Sequence, residues 1–163
     1  MARKVFYSFH YDKDNWRASQ VRNIGAVEGN KPAADNDWET VKKGGDKAIE
    51  KWIDGQMNGR SCVVVLVGAK TAGRKWIKYE VKKAWESGKG VVGICVHKLK
   101  DSAGNQSTKG NNPFDGFTVG GKALSSIAKV KNPSQTTSQG VYTHISDNIA
   151  DWIEEAIDIR NDN

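Results

Sequence analysis

The side chains with most to offer chemically are one carboxylate and the aromatic ring a helical turn before it. In RKWIKYE, residues 74 to 80, Trp76 and Glu80 are four apart and stack on one face of any helix that carries them. Ile77 and Val81 put that face at the margin of an apolar stripe, so the carboxylate has an apolar wall beside it. Spacing alone favours a plainer alternative, a solvent-facing Glu80 paired with Lys83. The other titratable groups are less suggestive. His97 and His144 read as structural, and Cys62 and Cys95 lie inside apolar runs, as small core residues do. Neither Gly-x-x-x-x-Gly-Lys-Ser/Thr nor Gly-x-Gly-x-x-Gly follows the first apolar run, which argues against a P-loop or Rossmann enzyme. A phosphoacceptor receiver domain would need an aspartate where Gly68 and Ala69 stand.

Positioning these residues requires a scaffold, and the hydrophobic pattern describes one. KVFYSF (4 to 9), SCVVVLVG (61 to 68) and GVVGICVH (90 to 97) are unbroken apolar runs of the kind that form strands buried on both faces. Between the first two, a helix carrying Trp16 and Val21, capped by Asp12 or Asp14, is expected to run to about Gly25. A loop follows from Glu28 to Asp37. A second helix starts at Trp38 and runs through Val41, Ala48, Ile49, Trp52 and Ile53 to near Asn58, weakened at Gly44 and Gly45. A third covers Lys75 to Ser87, with Ile77, Val81, Ala84 and Trp85 as its stripe and Gly88 as its stop. Ile145, Ile149, Trp152, Ile153 and Ala156 describe a closing helix, preceded by a short strand at Val141 and Tyr142.

Strands alternating with helices predict βαβ crossovers and hence an α/β fold: one doubly wound, mainly parallel sheet with helices on both faces. The 163 residues read as a single domain, interrupted by a long irregular excursion at about 98 to 140, of a length that is often functional. In such a sheet ligands bind beyond the carboxyl ends of the strands. That rim gathers Ser8, Phe9 and His10 after the first strand, Gly68 to Arg74 after the second, and His97 after the third. The helix starting near Lys75 begins at the same rim.

The formal charge of +6 raises nucleic acid as a partner, yet pairs such as Lys42 and Lys43, or Lys82 and Lys83, fall opposite apolar positions, as solvated helix faces do. Nucleic acid is therefore the weaker reading, and the charge also suits an anionic small molecule such as a dinucleotide. The N-terminal run is too brief for a signal peptide and no segment has the length of a membrane span, so a cytoplasmic protein without membrane contact is expected.

RKWIKYE resembles the Trp-x-x-x-Glu signature of TIR domains. KVFYSFHY, DWETVKKGGDKAIEKWI, SCVVVLVGAKT, GVVGICVHKLKDSAGN and KGNNPFD widen the likeness to the bacterial ThsB-like, TIR-like family of Thoeris antiphage defence, nearly continuously up to Asp115. The closing VYTHISDNIADWIEEA fits as well. The resemblance implies a flavodoxin-like fold and an enzyme that breaks the nicotinamide to ribose bond of NAD, making an ADP-ribose-derived, cyclic signal. NAD is then the substrate, with no cofactor and no metal needed. Carried over by position, Glu80 is the catalytic carboxylate, stabilising an oxocarbenium-like state beside the ribose. Ser8, Phe9, His10, Asn23, Trp38 and Trp76 are the binding candidates. Among them Phe9 and Trp38 would stack on nicotinamide or adenine, His10 would reach ribose or phosphate, and Asn23, in the string VRN, would supply a polar contact.

The resemblance further implies a phage-derived activator, self-association, and a separate effector protein that senses the product. Two departures bear on self-association rather than on the glutamate. Ile77 stands where many TIR domains have Cys, and the loop from Glu28 to Asp37 differs from that of animal TIR adaptors. The serious alternative is a non-enzymatic TIR-like scaffold for protein interaction, because a glutamate at the motif position does not by itself establish turnover.

Overall fold

In the computed structural model, which describes residues 3–29 and 43–163, the apolar runs become neighbouring parallel strands. The chain passes through β1 (Lys4–Ser8), α1 (Tyr11–Arg22), β2 (Glu28–Gly29), α2 (Gly45–Met57), β3 (Cys62–Val67), α3 (Lys75–Glu86) and β4 (Gly90–Cys95). It continues through β5 (Thr118–Val119), β6 (Lys122–Ala123), a 3-10 turn at Leu124–Ser126, β7 (Val130–Lys131) and α4 (Ser138–Asn161). The main sheet has the order β2-β1-β3-β4-β7 with every pairing parallel, while β5 and β6 form a small antiparallel pair. Val5 lies opposite Cys62, and Cys62 opposite Gly90.

Alternation along each strand divides the apolar side chains between two layers. Val5, Tyr7, Cys62, Val64, Leu66, Val92 and Ile94 face one layer, where Ala18 and Val21 of α1 meet Val141, Ile145, Ile149 and Ile153 of α4. Phe6, Val63, Val65, Val67, Val91 and Cys95 face the other, where Ile49, Ile53 and Met57 of α2 meet Ile77, Val81, Ala84 and Trp85 of α3. Every residue of β3 and β4 is buried, the mark of strands covered on both sides. The doubly wound, mainly parallel sheet expected from the pattern is the fold observed. Both cysteines are buried and free.

Several local expectations change. α1 is capped by His10, whose Nδ1 accepts from the Lys13 amide at 3.3 Å, rather than by Asp12 or Asp14. It ends at Arg22, with Asn23 as its C-cap. The start of the second helix at Trp38 and Val41 lies outside the described residues, and the described helix begins at Gly45. Val141 and Tyr142 belong to the first turn of α4, not to a strand: Thr137 caps that helix by accepting from the Gly140 amide at 3.1 Å, and Val141 opens the buried stripe. The excursion after β4 is more ordered than its composition suggests, since it contains the β5–β6 pair, supplies β7 to the main sheet, and buries Phe114 and Leu124 in the α2–α3 layer.

Candidate active site

Order reversal places the switch point between β1 and β3: from β1 the chain leaves to the α1–α4 layer, and from β3 to the α2–α3 layer. Glu80 sits in the second turn of α3, beside the buried Ile77, Val81 and Ala84. Its Oε2 is shut off from solvent and has no hydrogen-bond partner among the described residues. Across from it, Ser8 closes β1 at 1% exposure, on the same face of the strand as Phe6 and therefore toward α3. Burial pushes the Glu80 carboxyl up to about 8, and the Ser8 hydroxyl pulls in the opposite direction by favouring the anion. Ser8 is thus close enough to act on the carboxyl, although neither the Ser8 Oγ nor the Glu80 Oε2 is aligned in a full hydrogen bond.

The plain surface reading of Glu80 fails on its proposed partner. Lys83 turns to Asp54 of α2, with Nζ 3.8 Å from Oδ2, and the Tyr79 hydroxyl donates to Asp54 Oδ1 at 2.8 Å. Lys75 pairs with Asp46 across the same two helices. These contacts brace α3 along its outer edge and leave its inner edge, with Glu80, against the sheet. At the far end Gly88, at φ +77°, takes the left-handed conformation that terminates the helix. At the near end the turn after β3 is pinned by the buried Thr71, whose Oγ1 accepts from the Gly68 amide at 2.8 Å.

The remaining candidates divide between the two layers. Trp76 packs against the α2–α3 core, edge-on to Tyr79 at 5.7 Å, with the Lys75 Nζ 4.9 Å from its ring centre. Phe9 packs against the opposite, α1–α4 core, its ring 6.4 Å from that of Tyr11. His10 is buried at the start of α1 and occupied there as a cap. Asn23 caps the other end of the same helix. Trp38 lies outside the described residues. The structure therefore brings Ser8 to Glu80, but it places Phe9 and Trp76 on different faces of the sheet.

Three charged residues of α1 stand out: Arg17 and Arg22, which the sequence reading left without a role, and Asp14, which it read only as a helix cap. Arg17, at 3% exposure, donates from Nη1 to Asp14 Oδ1 at 3.0 Å, from Nε to the Leu99 carbonyl at 2.8 Å and from Nη2 to the Asn105 carbonyl at 2.9 Å. It ties the first helix to the segment after β4. Asp14 carries its other oxygen, unpartnered, against Gly68, where a Cβ would lie 2.1 Å from Oδ2. Arg22 has its guanidinium carbon 5.7 Å from the Tyr7 ring centre and 5.9 Å from that of Phe9, with both terminal nitrogens buried and without acceptors. The i,i+3 spacing of Asp14 and Arg17 was a legible sign of a pair. Nothing local signalled that both would be buried.

What this arrangement offers is a carboxyl whose burial favours the protonated form and whose ionisation is favoured by positive charge developing beside it. A group of that kind suits a reaction that builds positive charge next to it.

The family model described as "Thoeris protein ThsB, TIR-like domain" matches residues 6–101, a span that includes the end of β1, the turn after β3 and all of α3. A protein of Bacillus cereus (strain MSX-D12), named "Putative cyclic ADP-D-ribose synthase ThsB1", is 41% identical over 120 residues, which are 71% of this chain. The chain spans 62% of that relative's length.

Proposed function

The chain belongs to the ThsB TIR-like family, and on that premise we propose that it cleaves NAD between nicotinamide and ribose, with Glu80 as the catalytic carboxylate. The observation that carries this reading is the half-buried Glu80 beside Ser8 at the switch point of the sheet, with its Oε2 buried and without a hydrogen-bond partner among the described residues. The bond between the pyridinium nitrogen and the anomeric carbon breaks with its electron pair leaving on nicotinamide, which departs neutral. The ribosyl carbon becomes oxocarbenium-like, and the Glu80 anion opposes that charge and orients the ribose hydroxyls. An internal nucleophile such as a hydroxyl of the ADP-ribosyl portion that captures this carbon, giving up its proton, closes a cyclic ADP-ribose, whereas water gives ADP-ribose and releases a proton. The relative's name favours the cyclic outcome.

Ser8 stabilises the carboxylate form and so tunes the pH at which the site is competent. In antiphage defence the product serves as a signal to a separate effector, and a phage-derived trigger switches the enzyme on. The direct test is to incubate the purified protein with NAD, with and without lysate from infected cells, and to follow nicotinamide release and the product mass. Nicotinamide with a cyclic ADP-ribose mass supports the reading. No NAD loss under either condition favours a TIR-like scaffold instead.

A further inference from the structure

A concavity opens at the carboxyl rim of the sheet, over the ends of β3, β4 and β7, and neither Glu80 nor Ser8 lines it. Its floor is apolar: Val67 ends β3, Cys95 ends β4 and Val130 lies in β7. Its wall is polar, formed by Lys109, Asn111 and Asn112 of the KGNNPFD segment together with Asn132 just past β7. The cavity encloses about 430 Å³, a size at which small-molecule sites are common.

The wall is built rather than incidental. The backbone at Gly110 rests directly on the turn after β3, so that a Cβ there would lie 2.1 Å from the Gly68 carbonyl oxygen. Only glycine permits that approach, and it sets Lys109 and Asn111 on either side. Asn112 Oδ1 accepts from the Phe114 amide at 2.8 Å, which fixes the carboxamide, while the Phe114 ring is buried as an anchor below. Lys109 enters no ion pair among the described residues and lines the cavity with Cys95, the last residue of β4.

Among the described lining residues, one free cation, three carboxamides, an apolar floor and no carboxylate make a definite chemical class. Carboxamides donate and accept, as a base edge or a sugar hydroxyl requires. The ammonium matches a phosphoryl oxygen as a point charge. We infer that this cavity is a nucleotide subsite that takes the adenosine phosphate portion of the dinucleotide, with Lys109 on the phosphate and the Asn111, Asn112 and Asn132 carboxamides on the nucleoside. The inference rests on the reading of Glu80 as the site of ribosyl cleavage and adds to it where the far end of the substrate is held. A ligand anchored there stays on the enzyme after nicotinamide has left, which gives an internal nucleophile time to react.

The experiment titrates AMP and, separately, nicotinamide riboside into the wild type, Lys109→Met, Asn132→Leu and Glu80→Gln, by calorimetry, with thermal melts to confirm folding. Both cavity positions are exposed, so their variants are expected to fold. AMP should bind the wild type and Glu80→Gln alike and bind Lys109→Met and Asn132→Leu about tenfold or more weakly. Nicotinamide riboside binding should be unchanged in those two variants, and their loss with NAD should fall on KM rather than on kcat. No AMP binding to the wild type, or equal AMP binding in all four proteins, overturns the subsite. AMP binding that is lost in the cavity variants, in a wild type that never cleaves NAD, overturns instead the catalytic reading of Glu80 and leaves the cavity as a nucleotide site.

Discussion

The Ser8 hydroxyl at the end of β1 acts on the Glu80 carboxyl in the second turn of α3, and each presents a buried oxygen that has no hydrogen-bond partner among the described residues. Two elements that are 72 residues apart in sequence thereby define one chemical feature, since positions 8 and 80 differ by that number. The carboxyl is held up to about 8 by burial and eased down by the hydroxyl. If the anion is the working form, kcat/KM for NAD should climb with pH toward an apparent pKa far above the ordinary carboxylate value of 4.5. Ser8→Ala should move that rising limb to higher pH, because the group that favours the anion is gone. A profile already flat between about pH 5 and 8 would contradict the role given to burial.

The same shift governs stability, and its sign is opposite to that of an ion-paired carboxylate. Between 4.5 and about 8 the native state keeps the Glu80 proton while the unfolded chain has lost it. Stability from this group is therefore complete below the lower value and declines as pH rises to the upper one, by at most about 1.4 kcal/mol per pH unit. Glu80→Gln should flatten that decline, so that the variant becomes the more stable protein in alkaline buffer while matching the wild type in acid. Urea titrations at a series of pH values measure the difference, and parallel curves would show that Glu80 is solvated.

Much of this was legible in the chain. Short β-branched runs such as CVVVLV, closed by glycine, point to strands covered on both sides, and the stripe Ile77, Val81, Ala84 and Trp85 set the inner face of α3, with Glu80 at its margin. Less accessible were pairings that cross between elements. Lys83 stands three residues after Glu80 yet bonds Asp54, because α2 lies alongside and offers a carboxylate that no local spacing reveals. Val141 and Tyr142 read as a strand because two β-formers follow a loop, but the buried stripe through Ile145 and Ile149 recruits Val141 into the helix. β7 is two residues long, and its pairing with β4 at Gly93 and Ile94 depends on the intervening excursion, which has no periodicity to read. At the site, Ser8 followed from its place at the strand end, whereas the division of Phe9 and Trp76 between faces needed the strand parity to be seen in space.

Arg17 is expected to matter to the fold out of proportion to its place on a helix. Arg17→Met would leave the Asp14 carboxylate buried and unpaired and the Leu99 and Asn105 carbonyls without their donors. Breaking a buried pair from one side costs about 3–5 kcal/mol. The double variant Asp14→Leu with Arg17→Met should recover part of that loss, since no uncompensated charge remains. Chemical denaturation of the two proteins decides the point, and a single-variant cost below about 1 kcal/mol, the range of exposed pairs, would contradict it.

The central claim is that the Glu80 anion opposes the charge developing on the ribosyl carbon, and one comparison tests it most directly. Wild type and Glu80→Gln, matched for folding by their melting curves, are incubated with NAD, alone and with lysate from phage-infected cells, and NAD, nicotinamide and ADP-ribose products are followed by mass. The amide preserves shape and removes charge, and loss of a fixed electrostatic partner of this type is worth roughly 2.7–4 kcal/mol, a hundredfold or more in rate. The account predicts NAD loss in the wild type and loss slower by at least that factor in Glu80→Gln, with no change in fold. Equal rates of NAD loss in the two proteins would contradict it.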